Sequence, residues 1–306
     1  MDIFVINKEK SVMEFIEAKT ILQKVSHSEE WFGIDYNMNL YKGCCHKCIY
    51  CDSRSNCYGV EDFDRVRAKR NEIEILCREL KCKRKKGVIG IGAMSDTYNP
   101  FERQYEITRK ALELVNRYNF GVSIETKSDL IVRDIDLFKK INSKADVILK
   151  FTITAADDLL SQKIEPGVCK SSKRLEAMKK LSDEGLFVGT LLMPIIPFVT
   201  DSEENIKNVI RLSYQYGAKF VFTIRGMTLR ENQREYFYEQ LDKLFPKTKE
   251  KYIQTFGNNY FCFPLNKNLK DIFENECKKY GLLYKMEDII KAYKRQDSIG
   301  EQLKLI

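Results

Sequence analysis

From residue 87 onward the chain alternates short apolar runs with amphipathic stretches, and this alternation constrains the fold more than any other feature. The apolar runs have the length of buried strands, and the stretches between them carry apolar residues at helical spacing. The predicted strands are 88–92, 121–126, 146–154, 186–195 and 219–225, and the predicted helices are 103–118, 132–141, 171–184, 203–216 and 231–244. Strands that alternate with helices predict a parallel sheet, because parallel strands need a crossover connection.

The number of βα units limits the architecture to two types. A further strand is predicted at 38–43, which makes six units. Six units with nearly continuous apolar strands suit either a doubly wound sheet or a complete or partial barrel, and the pattern alone leaves both open. In both folds, polar residues at the carboxyl ends of the strands line the site.

Two segments lie outside the repeat. We expect a core at 36–245, an N-terminal extension at 1–35 and a C-terminal extension at 246–306. The C-terminal extension contains a helical pattern at 272–281 and three aromatic residues, Tyr260, Phe261 and Phe263. We expect it to pack over the open side of a barrel.

Composition limits the cellular compartment and the binding partners that we expect for the protein. No apolar run in the 306 residues approaches the ~20 that a membrane span needs, and the first residues lack a secretory signal pattern, so we expect a cytoplasmic protein with no membrane partner. Lys and Arg outnumber Asp and Glu by 52 to 44, a net charge of +8, which permits an anionic partner. The densest basic cluster, at 81–86, suits either a solvated loop or a contact with phosphates.

Four of the ten cysteines lie within residues 44–51. Two registers are possible, C-x3-C-x2-C from Cys44 or C-x2-C-x2-C from Cys45, each continuing through Cys48 and Cys51. Three thiolates on one loop favour an iron–sulfur cluster or zinc. Neither a ferredoxin nor a zinc-ribbon continuation follows, so one metal position stays open, as in catalytic centres. A zinc site, or an electron-transfer cluster with Cys57 as fourth ligand, remains the alternative.

The C-x3-C-x2-C loop after a first strand, with an aromatic residue before the last cysteine, resembles the radical S-adenosylmethionine (SAM) superfamily. The surrounding segments resemble its branch of spore photoproduct lyase and DNA repair photolyases. They are residues 39–55, 91–102, 125–137, 151–167 and 191–198. The resemblance implies an α/β fold, a partial (β/α)6 TIM-like barrel with N- and C-terminal extensions.

The resemblance also implies a site. Cys44, Cys48 and Cys51 would bind a [4Fe–4S] cluster, with SAM on the remaining iron, which leaves Cys45 a bystander and His46 a polar loop residue. The residues placed at SAM are Tyr50, Ser95, Asp96, Lys127, Thr152, Thr154 and Met193. Lys127 matches a lysine that pairs with the SAM carboxylate. Thr152 and Thr154 share parity along their strand, so both can face one side.

The implied activity is reductive cleavage of SAM to a 5′-deoxyadenosyl radical that takes hydrogen from a substrate. The branch and the basic charge favour a nucleic-acid base or nucleotide. The alternatives are a peptide or small molecule, or a non-catalytic iron–sulfur electron-transfer protein. An electron donor such as flavodoxin or ferredoxin is the implied partner. Ala93 stands where spore photoproduct lyase has a cysteine that returns hydrogen to its product, so reversal of thymine dimers by that route is not expected.

Overall fold

The computed structural model describes residues 13–27 and 30–295. The strands are β1 (Glu14–Ile16), β2 (Leu22–Lys24), β3 (Tyr36–Met38), β4 (Tyr41–Lys42), β5 (Arg67–Lys69), β6 (Val88–Ile91), β7 (Gly121–Thr126), β8 (Val147–Thr152), β9 (Val188–Leu191), β10 (Phe220–Phe222), β11 (Met227–Thr228) and β12 (Phe261–Cys262). The helices are α1 (Glu72–Cys82), α2 (Glu102–Tyr105), α3 (Ile107–Arg117), α4 (Ile135–Asn142), α5 (Asp158–Ile164), α6 (Ser171–Asp183), α7 (Glu203–Gln215), α8 (Gln233–Leu244), α9 (Thr248–Phe256), α10 (Leu269–Lys279) and α11 (Met286–Tyr293). None of these helices is long and apolar enough to cross a membrane.

The central sheet has the order β10-β9-β8-β7-β6-β3-β2. Its strands β3 and β6 to β10 are parallel and lie in chain order, and β2 adds an antiparallel edge. A doubly wound sheet reverses its strand order at a switch point, whereas this sheet has no reversal. Within the described residues its two edge strands do not pair. The expected partial barrel is therefore confirmed, and the doubly wound alternative is excluded.

The strands present different residues to the helices and to the barrel interior. On β7, Val122 and Ile124 belong to the large apolar core that includes the helices α3 and α4. Because side chains alternate along a strand, Ser123 and Glu125 face the opposite way, into the barrel. The interior is filled mainly by an apolar cluster that comprises Phe32, Ile34, Val88, Ile148, Leu191, Phe220, Ile289 and Tyr293. The barrel interior therefore contains a packed apolar core, and a cavity lies at the carboxyl ends of the strands.

Two predicted elements are divided in the structure. The strand predicted at 38–43 was wrong in its bounds, because β3 ends at Met38 and Tyr41 instead pairs with Ala68 in a separate sheet, β1-β5-β4. The helix predicted at 103–118 is interrupted at Glu106, which has a φ of 52°. There the carboxylate of Glu102 accepts a hydrogen bond from Thr108 N at 3.0 Å, which caps α3. Long-range backbone pairing and a side-chain cap override the local patterns.

The C-terminal region contacts the barrel at several points. Strand β12 pairs with β11 and brings Phe261 to the cavity. Leu283 forms an isolated β-bridge with Phe220 of the edge strand β10. Helix α11 contributes Ile289 and Tyr293 to the interior cluster. The helix predicted at 272–281 is α10, which begins three residues earlier and packs against α7. The division of the chain at residues 35 and 245 stays a prediction.

Candidate active site

A cavity of about 340 Å³ opens at the carboxyl ends of the parallel strands. One wall is the loop that follows β4 and carries the clustered cysteines. The floor comes from the ends of β6 to β9, and the β11–β12 pair closes one side. Of the residues predicted to form the site, Cys44, Cys48, Tyr50, Cys51, Ser95, Asp96, Lys127, Thr152 and Met193 line this cavity. The fold therefore brings nine of ten predicted residues together.

The exception is Thr154, which is fully buried and does not line the cavity. Strand β8 ends at Thr152, so the alternation that would align the two threonines ends there as well. The carbonyl of Thr154 accepts a hydrogen bond from Asn205 Nδ2 at 2.9 Å, and its hydroxyl has no partner among the described residues. Thr154 contacts the α7 side of the fold instead of the cavity.

The cysteine loop is tied to its surroundings by backbone hydrogen bonds. Cys44 N donates to the carbonyl of Phe63 at 2.7 Å, and Ile49 N donates to the carbonyl of Ile164 at 2.9 Å. Cys44 faces the cavity and Cys45 does not. Of the two possible registers, the C-x3-C-x2-C register is therefore the one whose three thiols all face the cavity.

The three thiols are free and desolvated. Burial raises the pKa of Cys44 to about 12 and also raises the pKa values of Cys48 and Cys51. Alone they are thiols, so a metal centre would displace their protons on binding. In residues 13–27 and 30–295, no group of three His, Cys, Asp or Glu side chains is close enough to hold one metal ion.

The polar side chains of Ser95 and Asp96 already form hydrogen bonds within the protein. The Ser95 hydroxyl donates to the carbonyl of Gly43 at the start of the cysteine loop. Asp96 accepts hydrogen bonds from Tyr98 N at 2.9 Å, from the Thr126 hydroxyl at 2.8 Å and from Lys127 N at 2.7 Å. These two residues connect the ends of β6 and β7 to the cysteine loop.

Lys127 projects from the end of β7 toward the cysteines. Its Nζ lies 5.9 Å from the ring centroid of Tyr50, and among the described residues it has no ion-pair or hydrogen-bond partner. Burial opposes its charge, but Cys48, Glu165 and Asp96 together raise the pKa of Lys127 above its ordinary value. The cavity therefore contains an ammonium group with unused hydrogen-bond donors.

Charged residues beyond those predicted to bind the cluster or SAM surround the loop. Glu165 and Arg174 are fully buried, and Glu165 accepts a hydrogen bond from the Tyr50 hydroxyl. Glu125 lines the cavity floor beside the buried Lys150. Glu165 falls within a segment that carries the family resemblance, and Lys150 interrupts an otherwise apolar strand. Those two features are the signals in the sequence from which Glu165 and Lys150 could have been identified.

The cavity mouth, defined by Phe261 and Asp52 of its lining, is flanked by aromatic side chains and by Arg230, whose Nε lies 3.2 Å from Asp52 Oδ1. Phe261 stacks on Phe263 with ring centroids 4.7 Å apart, and Arg230 lies 5.0 Å from the ring centroid of Tyr260. Tyr260 and Phe263 are 50% and 56% exposed. Cys57 lies outside the cavity lining, where its Sγ accepts a hydrogen bond from Arg230 Nη1 at 2.8 Å. The basic cluster at 81–86 lies near the amino end of β6, opposite the cavity.

Comparison with known proteins identifies relatives. The radical SAM superfamily model matches residues 38–210, more than half of the chain. An uncharacterized protein of Methanocaldococcus jannaschii is 35% identical over 174 residues, 56% of this chain and 64% of that relative. An uncharacterized protein of Mycobacterium tuberculosis is 26% identical over 253 residues, 80% of this chain and 74% of that relative.

Solved structures share the fold. Spore photoproduct lyase complexed with dinucleoside spore photoproduct superposes with a TM-score of 0.66 at 15% identity, covering 88% of this chain and 81% of that chain. A mutant of the same enzyme with bound AdoMet and dinucleoside spore photoproduct superposes with a TM-score of 0.64 over the same shares.

Proposed function

The chain belongs to the radical SAM superfamily, and we propose on this basis that its cavity binds a [4Fe–4S] cluster and SAM. When bound, the cluster and SAM supply one-electron chemistry that abstracts a hydrogen atom from a substrate. The family implies both groups. The residues are assigned to these groups by the resemblance of their motifs to those of the family, and the geometry of the cavity supports the assignment.

Cys44, Cys48 and Cys51 are the proposed cluster ligands. Their thiols are free, face one cavity and are separated by the spacing that the family uses. Soft sulfur ligands suit iron. The donor set therefore fits a cluster with three protein ligands. Cys45 and Cys57 lie outside the cavity lining and are not included.

The position of Lys127 is the observation that best supports the SAM site. An ammonium that has no partner among the described residues, next to the proposed ligands, complements the carboxylate of an amino acid. Asp96 positions it by accepting a hydrogen bond from the Lys127 backbone N–H. The Tyr50 ring, the Thr152 side chain and Met193 line the remaining walls, where an adenosyl group can pack. The apolar walls and the bound cofactor would exclude water from the reacting atoms.

We propose a nucleic-acid base or nucleotide as the substrate. Exposed aromatic rings beside a guanidinium group at the cavity mouth are suited to stacking on bases, and the net charge of +8 favours an anionic polymer. Ala93 lines the cavity where spore photoproduct lyase has a hydrogen-returning cysteine. The proposed reaction is therefore not dimer reversal by that route. A flavodoxin or ferredoxin is the proposed electron donor.

The first experiment tests cofactor chemistry. Protein purified without oxygen is reconstituted with iron and sulfide, reduced with dithionite and supplied with SAM, and 5′-deoxyadenosine is measured by chromatography. We expect product from the wild type and none from the triple variant C44A/C48A/C51A. The C45A variant is the matched control and should retain iron and activity. Loss of iron in C45A, with retention in C44A, would show that the other register holds the cluster.

A second experiment tests the substrate class. Binding of a single-stranded oligonucleotide is measured near 50 mM and 200 mM salt. We expect affinity to fall steeply with salt, because phosphate contacts release counterions. Replacement of Tyr260 and Phe263 by Ala should weaken binding at both salt concentrations. An affinity that depends on neither salt nor these aromatic residues would favour a peptide or small-molecule substrate.

A further inference from the structure

A lysine is buried in the barrel directly below the cavity. Ile148, Lys150 and Thr152 share one face of β8, with Ile148 in the interior cluster and Thr152 lining the cavity. Lys150 lies between them and is 2% exposed. Its Nζ is 2.9 Å from the hydroxyl of Ser123 and 4.3 Å from the ring centroid of Phe32. Burying an ammonium is costly unless an anion accompanies it.

The accompanying anion is Glu125. Glu125 and Lys150 are register partners on β7 and β8, and Glu125 Oε2 lies 3.6 Å from Lys150 Nζ. Burial lowers the pKa of Lys150, and Glu125 acts in the opposite direction. Glu125 is only partly buried, and it lines the cavity. Among the described residues, Lys150 Nζ is the one donor near this carboxylate, so the other acceptor sites of Glu125 are available to a ligand in the cavity that it lines.

A ligand that encloses Glu125 without offering donors leaves its remaining acceptor sites unsatisfied, which is destabilising. A fitting ligand therefore brings hydrogen-bond donors to Glu125. Nucleobases differ in this respect. Cytosine, adenine and guanine carry an exocyclic amino group, which a carboxylate accepts well. Thymine and uracil present one N–H between two carbonyl oxygens, and those oxygens repel a carboxylate.

We propose that Glu125, held by Lys150, selects for a substrate base with an exocyclic amino group and against thymine and uracil. This inference rests on the proposed function and specifies its substrate. Glu125 acts as a specificity-determining residue and Lys150 as its positioning residue.

The test uses two probes that differ only at the pyrimidine edge, deoxycytidine and deoxyuridine. Their binding to reconstituted full-length protein is measured by equilibrium dialysis in the presence of S-adenosylhomocysteine. We expect wild type to favour deoxycytidine by about tenfold, the size of a well-formed base contact. The preference should fall below about threefold in E125Q. E113Q, which removes the exposed carboxylate of Glu113 on α3, should retain the wild-type preference.

A second variant and a second readout keep the outcomes distinct. E125Q/K150M removes both charges and should lose the preference even if E125Q alone folds poorly. Binding of S-adenosylhomocysteine should be unchanged in both variants, and a loss there would assign Glu125 to the cofactor and overturn the inference. A preference absent from wild type, or retained in E125Q, would also overturn it. Wild type that binds no S-adenosylhomocysteine refutes the proposed function itself.

Discussion

Arg174 Nη1 lies 2.6 Å from Glu165 Oε2, and both side chains are fully buried. Glu165 also accepts a hydrogen bond from the hydroxyl of Tyr50, which lies between Cys48 and Cys51 in the sequence. Arg174 donates to the carbonyl of Thr152 at the end of β8 and to that of Cys169. One ion pair thus links the cysteine loop, the end of a barrel strand and the loop before α6.

Removing one charge of this pair should be strongly destabilising. R174M leaves Glu165 buried without its cation, and we expect a loss of about 3–5 kcal/mol in the free energy of unfolding. Urea denaturation of the unreconstituted protein measures it. K173M removes the neighbouring exposed pair with Glu176 and should have a far smaller effect, because water screens that pair. Equal losses in the two variants would contradict the assigned role of the buried pair.

Lys127 should determine cofactor affinity without affecting the metal. K127M removes the charge that faces the proposed SAM carboxylate, so affinity for S-adenosylhomocysteine should fall roughly tenfold to a hundredfold, as for a lost charged hydrogen bond. Iron content should be unchanged. Calorimetric titration and an iron assay of the same sample measure both. K47M, an equal charge change on the cysteine loop, serves as the control. Unaltered affinity in K127M would remove Lys127 from the site.

Gly167 permits a close approach to the cysteine loop. Its N–H donates to the carbonyl of His46 at 2.9 Å, and an added Cβ would lie 2.6 Å from that carbonyl oxygen and 2.7 Å from that of Cys45. We expect G167A to cost about 1–3 kcal/mol by overpacking and to lower the iron bound on reconstitution, because the loop must move.

The control for Gly167 is a glycine whose Cβ would meet open space. Gly185 has a φ of 76°, and apart from its sequence neighbours no atom of the described residues lies within 4 Å of an added Cβ. G185A should lose about 1–2 kcal/mol through backbone strain and still bind iron as wild type does. Normal iron in G167A would show that the loop tolerates displacement.

The buried Lys150 should make stability depend on pH in the alkaline range. Burial lowers the pKa of Lys150 in the folded state, so between that lowered value and the ordinary value near 10.4 the unfolded chain holds one more proton. Stability from this group therefore rises with pH across that window. K150M removes the contribution. Urea denaturation at pH 8 and pH 10 should show a more favourable change for wild type than for K150M, and identical changes would contradict this.

Much of the fold followed from local patterns. The apolar runs that became β6 to β10 were predictable, because burial on both faces leaves a continuous apolar signal. Most of the helices between them were predictable from helical periodicity, whereas the short helix α5 was not predicted. Sequence patterns failed where individual contacts decide. Tyr41 leaves the predicted strand because Ala68, which is distant in the sequence, pairs with it, and Glu106 interrupts a helix because the nearby Glu102 caps the next one. The periodicity of apolar residues marks neither contact.

For the site, the sequence by itself determined the chemistry that is available: cysteines at ligand spacing and polar residues at strand ends. Only the tertiary structure decided which groups are free to act. It places Cys44 in the cavity and Cys45 outside it. It also places Lys127, whose ammonium has no partner in the described part of the chain, beside an Asp96 that already accepts several hydrogen bonds. It also reveals Glu165, Arg174 and the Glu125–Lys150 pair. The physical reason is that a buried charge acquires its role from neighbours far along the chain, and local patterns carry no record of those neighbours.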